Sequence, residues 1–226
     1  MIKYDRRKKY FVTMDVETIG VEKPLVYDLG YAIHDKKGNV LIARSFLIKE
    51  TWDNDKLMRT AYYSSKIGLY HEKIQKGVIE VKSWLDALGT LHDDLRKYKV
   101  HVACAYNLSF DMRALSFTHQ HYNYTGKILP YKMDLLCIWG MACETVCKQK
   151  MFREFCDKYK LVSPAGNYKT SAEIVYRYLT NNIGFIEEHT GLADVFIEIE
   201  ILSRCIKYKH TGGIIGNCWK IPQKRD

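Results

Sequence analysis

Between residues 10 and 17 the side chains alternate, so that Val12, Met14 and Val16 share one side and Phe11, Thr13, Asp15 and Glu17 the other. A period of two predicts a strand. Residues 25–34 and 40–49 read the same way, separated by turn signals at Val21-Glu-Lys-Pro24 and Lys36-Lys-Gly-Asn39, and three strands so joined form an antiparallel meander. Beyond residue 50 the pattern turns helical. Helices are predicted near 54–75, 80–98, 136–148, 151–160, 170–181 and 192–209, with short strands at 100–105 and near 131–135. In the last helix Leu192, Val195, Phe196, Ile199, Leu202 and Ile206 form one apolar stripe and Ile197, Ile201 and Cys205 a second, which predicts a helix buried on two sides. Strands first and helices later fit a three-layer α/β/α fold.

The 226 residues suit one domain, with no linker composition or internal repeat: residues 1–226, a motif-bearing core over about 10–209 and a basic tail over about 210–226. Thirty-five Lys and Arg against 26 Asp and Glu leave a formal charge of +9. Phosphate is the natural partner of such a surface. Positive charge gathers at residues 3–9, 148–160 and 207–224, interleaved with aromatic rings able to stack on bases at about 1–3 kcal/mol each. No apolar run approaches the roughly 18 residues of a membrane span, and no signal core opens the chain, so an intracellular, cytoplasmic protein without a membrane partner is expected. Seven scattered cysteines read as reduced core residues. Cys143 and Cys147, four apart on a predicted helix, lack the companion histidines of a structural zinc site.

Asp15 and Glu17 put two carboxylates on one side of a strand, where like charges withdrawn from water repel. A strand end open to solvent relieves this, and so does a divalent cation; hard oxygen donors suit Mg²⁺ or Mn²⁺. Asp111 falls in the first turn of a helix that follows the strand at 100–105, with Asn107 and Ser109 as capping residues. It is either a favourable N-terminal charge, at about 0.3–1 kcal/mol, or a site residue at a strand's carboxyl end. Asp194 leads the second stripe of the last helix, and His189, set off by Gly191, belongs to a preceding loop from which it overhangs that carboxylate. Taken singly, such a histidine is ordinarily a surface residue. Asp134, at the end of the short strand near 131–135, reads as structural support or a helix cap.

Together, Asp15-x-Glu17-Thr18, Asn107-x-x-Phe110-Asp111 and His189-x4-Asp194 resemble the motifs of the DEDDh family of 3′→5′ exonucleases, which includes polymerase proofreading exonucleases, ribonuclease T and oligoribonuclease. Gly191 stands where the tyrosine-bearing relatives carry Tyr. The resemblance spans residues 10 to about 205. It implies a ribonuclease H-like fold with a mixed central sheet, in which the first strand and the strand at 100–105 are adjacent. It further implies two divalent cations, Mg²⁺ or Mn²⁺, one held by Asp15, Glu17 and Asp194 and the other by Asp15 and Asp111, with His189 as general base. Thr18, the backbone near Ile19, Asn107 and Phe110 would lie against the terminal nucleotide. Single-stranded DNA or RNA is the implied substrate, and a DNA polymerase or a second copy of the chain the implied protein partner. A non-catalytic nucleic-acid-binding or polymerase-tethering module and a ribonuclease H-like endonuclease are the alternatives.

Overall fold

In the computed structural model the described residues are 9–207. The basic runs at 3–8 and 208–224, the tail from 210 and Cys218 lie outside them. The alternating segments become β1 (Tyr10–Thr18), β2 (Val26–Asp35) and β3 (Val40–Ile48), an antiparallel meander as expected. The turn between β2 and β3 is built by Asp35, whose carboxylate accepts the backbone N–H groups of Lys37 and Asn39 at 2.7 and 3.0 Å. Gly38 supplies the positive φ of 88° that this turn requires.

Three short strands complete the sheet: β4 (Glu80–Lys82) runs parallel to β3, while β5 (Val102–Ala105) and β6 (Asp134–Cys137) run parallel to β1, giving the order β4-β3-β2-β1-β5-β6. The strand at 100–105 is thus beside β1, with Ala103 opposite Val12. One face of the sheet, with Val12, Met14 and Val16, packs against α4 (Trp84–Lys97) and α5 (Leu108–His121) through Trp84, Leu88, Leu91, Leu95 and Leu115. The other, with Phe11, Val102 and Cys104, packs against α6 (Ile138–Ala142), α7 (Lys150–Lys158), α8 (Ala172–Thr180) and α9 (Gly191–Lys207). The three layers form around a mixed six-stranded sheet, as the alternation of β1 requires.

Several boundaries differ from the sequence expectation. The helix predicted over 54–75 is broken into α2 (Asp55–Met58), a 3₁₀ turn (Ser64–Lys66) and α3 (Ile67–Gln75), preceded by α1 (Lys49–Trp52). Thr60 closes α2 by donating its hydroxyl to the Leu57 carbonyl, and the N–H of Tyr62 goes to the carbonyl of Ile19 on the β1–β2 loop. The helix predicted from residue 80 begins at Trp84, because the Ser83 hydroxyl accepts the N–H of Asp86 and fixes the N-cap there. Asp134 opens β6, where its N–H donates to the His101 carbonyl, and the helix after it passes into a π-helical turn at Cys143–Cys147. Phe196 lies on a predicted apolar stripe yet is exposed, since α9 rests on the sheet through its other faces. The six described cysteines are buried free thiols, as expected, and burial pushes the Cys147 thiol well up, reinforced by Cys143. Among the described residues no helix is long and apolar enough to cross a membrane.

Candidate active site

The carboxyl end of β1 and the start of α9 bring Glu17, His189 and Asp194 together, while Asp15, outside that group, feels the charges of Asp111, Glu17 and Asp194. Antiparallel register places Asp15 opposite Gly30 and Glu17 opposite Asp28. Both β1 acids share the sheet face that α9 covers. The N-terminus of α9 is fixed there by Asp28, a fully buried carboxylate whose Oδ2 accepts the N–H of Gly191 and the hydroxyl of Tyr70, each at 2.8 Å. Four residues into the motif helix, Asp194 is buried against this floor.

His189 sits on the loop before α9, at a positive φ of 54° that few non-glycine residues adopt. Two lysines strap the loop down. Lys66 donates to the carbonyls of Glu188 and His189, while Lys73 pairs with the Glu188 carboxylate and donates to the Thr190 hydroxyl at 3.0 Å. The Tyr63 ring stacks on the imidazole at 4.8 Å and 14°. His189 Nδ1 then lies 3.8 Å from Asp194 Oδ2 and 3.7 Å from Glu187 Oε2. Donor atoms of Glu17, His189 and Asp194 all fall within 4.8 Å of one another.

Asp111 is buried in the first turn of α5, where its carboxylate accepts its own N–H and that of Val16. The capping expected of Asn107 is not made: Asn107 occupies the N-cap position without a side-chain capping bond, and its Oδ1 accepts the Ser109 hydroxyl instead. Thr18 and Phe110 line a cleft of about 250 Å³ together with Glu17, Gly20, Tyr62 and Tyr63. Ile19 turns inward. Its N–H donates to Leu25, its carbonyl accepts from Tyr62, and its side chain packs beside Tyr27 and Leu47.

Burial raises the pKa of each acid, and for Asp15, Glu17 and Asp194 neighbouring carboxylates add to the rise. Glu17 is pushed up to about 9 by burial and then by Asp194 and Asp28, with Lys66 opposing. Asp194 rises to about 8 through burial and Glu187, and Asp111 to about 7 through burial against its two backbone hydrogen bonds. Asp15 rises well above the usual range, first by burial, then by Glu198, Asp111, Glu17 and Asp194. Burial and the Lys66 ammonium move His189 the other way, down from its ordinary value, which keeps the imidazole neutral.

A buried polar atom without a partner is costly, and this centre has three: Asp28 Oδ1, Asp194 Oδ1 and Glu198 Oε2. Unpartnered, mutually repelling carboxylate oxygens are the donor set that a hard divalent cation satisfies. The residues present therefore fit such an ion.

Sequence reasoning missed Asp28, Tyr62, Tyr63, Lys66 and Glu198. A signal existed for Glu198, which is four residues beyond Asp194 and so on the same helical face. For Asp28 the signal was its place in the apolar run Leu25–Ile33 of the second predicted strand.

No protein-family model and no curated protein matches this chain. Solved structures do. A product-bound structure of exonuclease I aligns with a TM-score of 0.57 at 14% identity, over 88% of this chain and 43% of that one. The zinc-ion-bound complex of Escherichia coli exonuclease I with single-stranded DNA gives 0.55 at 14% identity, over 89% and 42%. E. coli exonuclease I with a dA16 oligonucleotide gives 0.53 at 15%, over 89% and 43%. The chain spans less than half the length of the proteins it resembles. At this identity the likeness shows the fold alone, a three-layer fold around a mixed sheet shared with the exonuclease I structures.

Proposed function

We propose that this chain is a metal-dependent 3′→5′ exonuclease of the DEDDh type, which releases nucleoside 5′-monophosphates from single-stranded nucleic-acid ends. The observation that carries the reading is the convergence of Glu17, Asp194 and His189 donor atoms within 4.8 Å, in a centre whose acids include Asp15 and Asp111. Asp15, Glu17, Asp111 and Asp194 would hold two divalent cations, Mg²⁺ or Mn²⁺. When bound, such cations supply Lewis-acid stabilisation of the phosphoryl oxygens and lower the pKa of the attacking water.

The side chains of the chain do the rest. His189, neutral under burial and Lys66, turns Nδ1 toward Glu187 and Asp194 and leaves Nε2 to take the proton of the attacking water. Tyr63 and the Lys66 strap hold the imidazole in place, which limits the motion that proton transfer must overcome. Tyr62, exposed at 77%, and Phe110 offer rings to the terminal bases, with Thr18 at the floor of the same cleft. Asn107 and the backbone near Ile19 flank that cleft in sequence and complete the proposed nucleotide contacts. The excess of 35 basic over 26 acidic residues favours the phosphate backbone.

The test is purified protein with a 5′-labelled single strand. A ladder shortening one nucleotide at a time, dependent on Mg²⁺ or Mn²⁺ and accompanied by 5′-monophosphates, is expected. A strand bound and left uncut overturns the reading in favour of a binding module, and cleavage of a circular strand overturns it in favour of an endonuclease.

A further inference from the structure

Glu198 lies one turn beyond Asp194 on the inner face of α9 and is 3% exposed. A carboxylate at that depth is stable only if it stays protonated or meets a cation. Among the charged groups that act on it most strongly there is no lysine or arginine; they are Asp111, Asp194 and Glu187, with the backbone amide of Tyr106 opposing them. Its Oε2 has no hydrogen-bond partner among the described residues. Asp15, in turn, feels the Glu198 charge more than that of Asp111, Glu17 or Asp194. Glu198 is thus coupled electrostatically to Asp15, Asp111 and Asp194, and its spacing puts it one turn beyond Asp194 on the same buried face of α9.

We propose that Glu198 is a fifth carboxylate of the metal centre, placed to ligate a divalent cation on the Asp15 and Asp111 side. This rests on the metal-dependent reading above. The spacing supports it, because residues 194 and 198 share one face of α9 and both carry a buried, unpartnered carboxylate oxygen. The neighbours on that face are apolar: Ile197, Ile201 and Cys205 are all buried. A glutamate retained in such a row has, besides the Tyr106 amide, only protonation or a cation to offset its burial. A third oxygen donor on this side favours ions that take several hard ligands, Mn²⁺ and Mg²⁺, over softer metals.

The test is Mn²⁺ titration of the purified protein without nucleic acid, followed by electron paramagnetic resonance and by thermal melting. Glu198→Gln keeps the volume and Glu198→Ala removes the group, so that one stands in for the other should either fold poorly by circular dichroism. Each is expected to weaken Mn²⁺ binding by about 10- to 100-fold and to shrink the rise in Tm that Mn²⁺ produces. A folded variant with wild-type Mn²⁺ affinity overturns the assignment. Asp194→Asn in the same titration separates the two levels: if it weakens binding while Glu198→Gln does not, Glu198 alone is wrong. If neither matters, the metal centre itself fails.

Discussion

Gly30 of β2 and Gly191 of α9 touch through their backbones: a Cβ built on Gly30 would fall 2.2 Å from the carbonyl carbon of Gly191 and from the amide nitrogen of Leu192. A Cβ on Gly191 would meet the Gly30 nitrogen at 2.7 Å and the Asp15 carbonyl at 3.1 Å. The closest contacts are all backbone, and the side-chain atom next in line at Gly191, Asp28 Oδ1 at 3.2 Å, belongs to a fully buried carboxylate. The helix that carries Asp194, and the loop that carries His189, can lie against β1 only because both positions lack a side chain.

Gly30→Ala is accordingly expected to push α9 off the sheet, at a loss of about 1–3 kcal/mol or more for overpacking. Denaturant melts measure the loss, and the exonuclease rate should fall with it even where the protein remains folded. Unchanged stability would mean that α9 does not pack as described.

Asp15→Asn and Asp194→Asn each remove a charge with little change of volume. Activity is expected to drop by at least about 10²-fold, since the electrostatic role of a bound cation is worth several kcal/mol. Melting in chelator should show equal or greater stability, because the variants relieve repulsion among acids that already raise one another's pKa. Wild-type turnover by verified Asp15→Asn protein would remove the basis of the site.

The parts of this molecule legible in its sequence are those governed by local periodicity. The two faces of β1 separate Phe11 from Val12, Met14 and Val16 as a period of two demands, and the meander follows from Pro24 and from the Asp35–Asn39 turn. Asp15 and Glu17 share a face for the same reason. What was not legible depends on partners distant in the chain. The break at residues 59–66 answers to Ile19, and Tyr63 is defined by its stacking on His189. Glu198 was hidden because a glutamate in a helix is ordinarily solvent-facing, although its spacing from Asp194 already put it on the inner stripe.

Stability of the metal-free protein should decline as pH rises. Glu17, Asp194 and Asp111, at about 9, 8 and 7 in the folded chain, start from ordinary values near 4, so the folded state binds more protons than the unfolded one between those limits. By linkage, their contribution is fully present below about pH 4 and is lost as pH climbs through the folded values. Melts in chelator from pH 5 to 8.5 should show a falling Tm, and Mg²⁺ should restore more of it at pH 8.5 than at pH 5. A Tm that rises with pH in chelator would contradict the burial and repulsion that raise these pKa values.

Binding to a single strand in chelator should weaken steeply with salt. For single strands the slope of log K against log salt is about −0.7 per phosphate neutralised, so three to six contacts give a slope of about −2 to −4. Fluorescence anisotropy across a salt series measures it. A flat response would detach the +9 charge from nucleic acid.

His189 is the residue on which the mechanism turns. Burial and then the Lys66 ammonium lower its pKa, with Glu173 opposing, although the Glu187 and Asp194 carboxylates lie within 3.8 Å of its Nδ1. The imidazole therefore remains a competent base into mildly acid solution. His189→Ala should lower the rate by about 10²–10⁴-fold while leaving Mn²⁺ binding within a few-fold, because in the proposed mechanism the side chain moves a proton and the carboxylates carry the ligation. Lys66→Met gives the complementary shift. Without the ammonium the His189 pKa rises, so the acid limb of the rate profile should move to higher pH in that variant and disappear in His189→Ala. Rates near wild type for His189→Ala at neutral pH would remove the general base and leave the acids without the proton acceptor proposed for them.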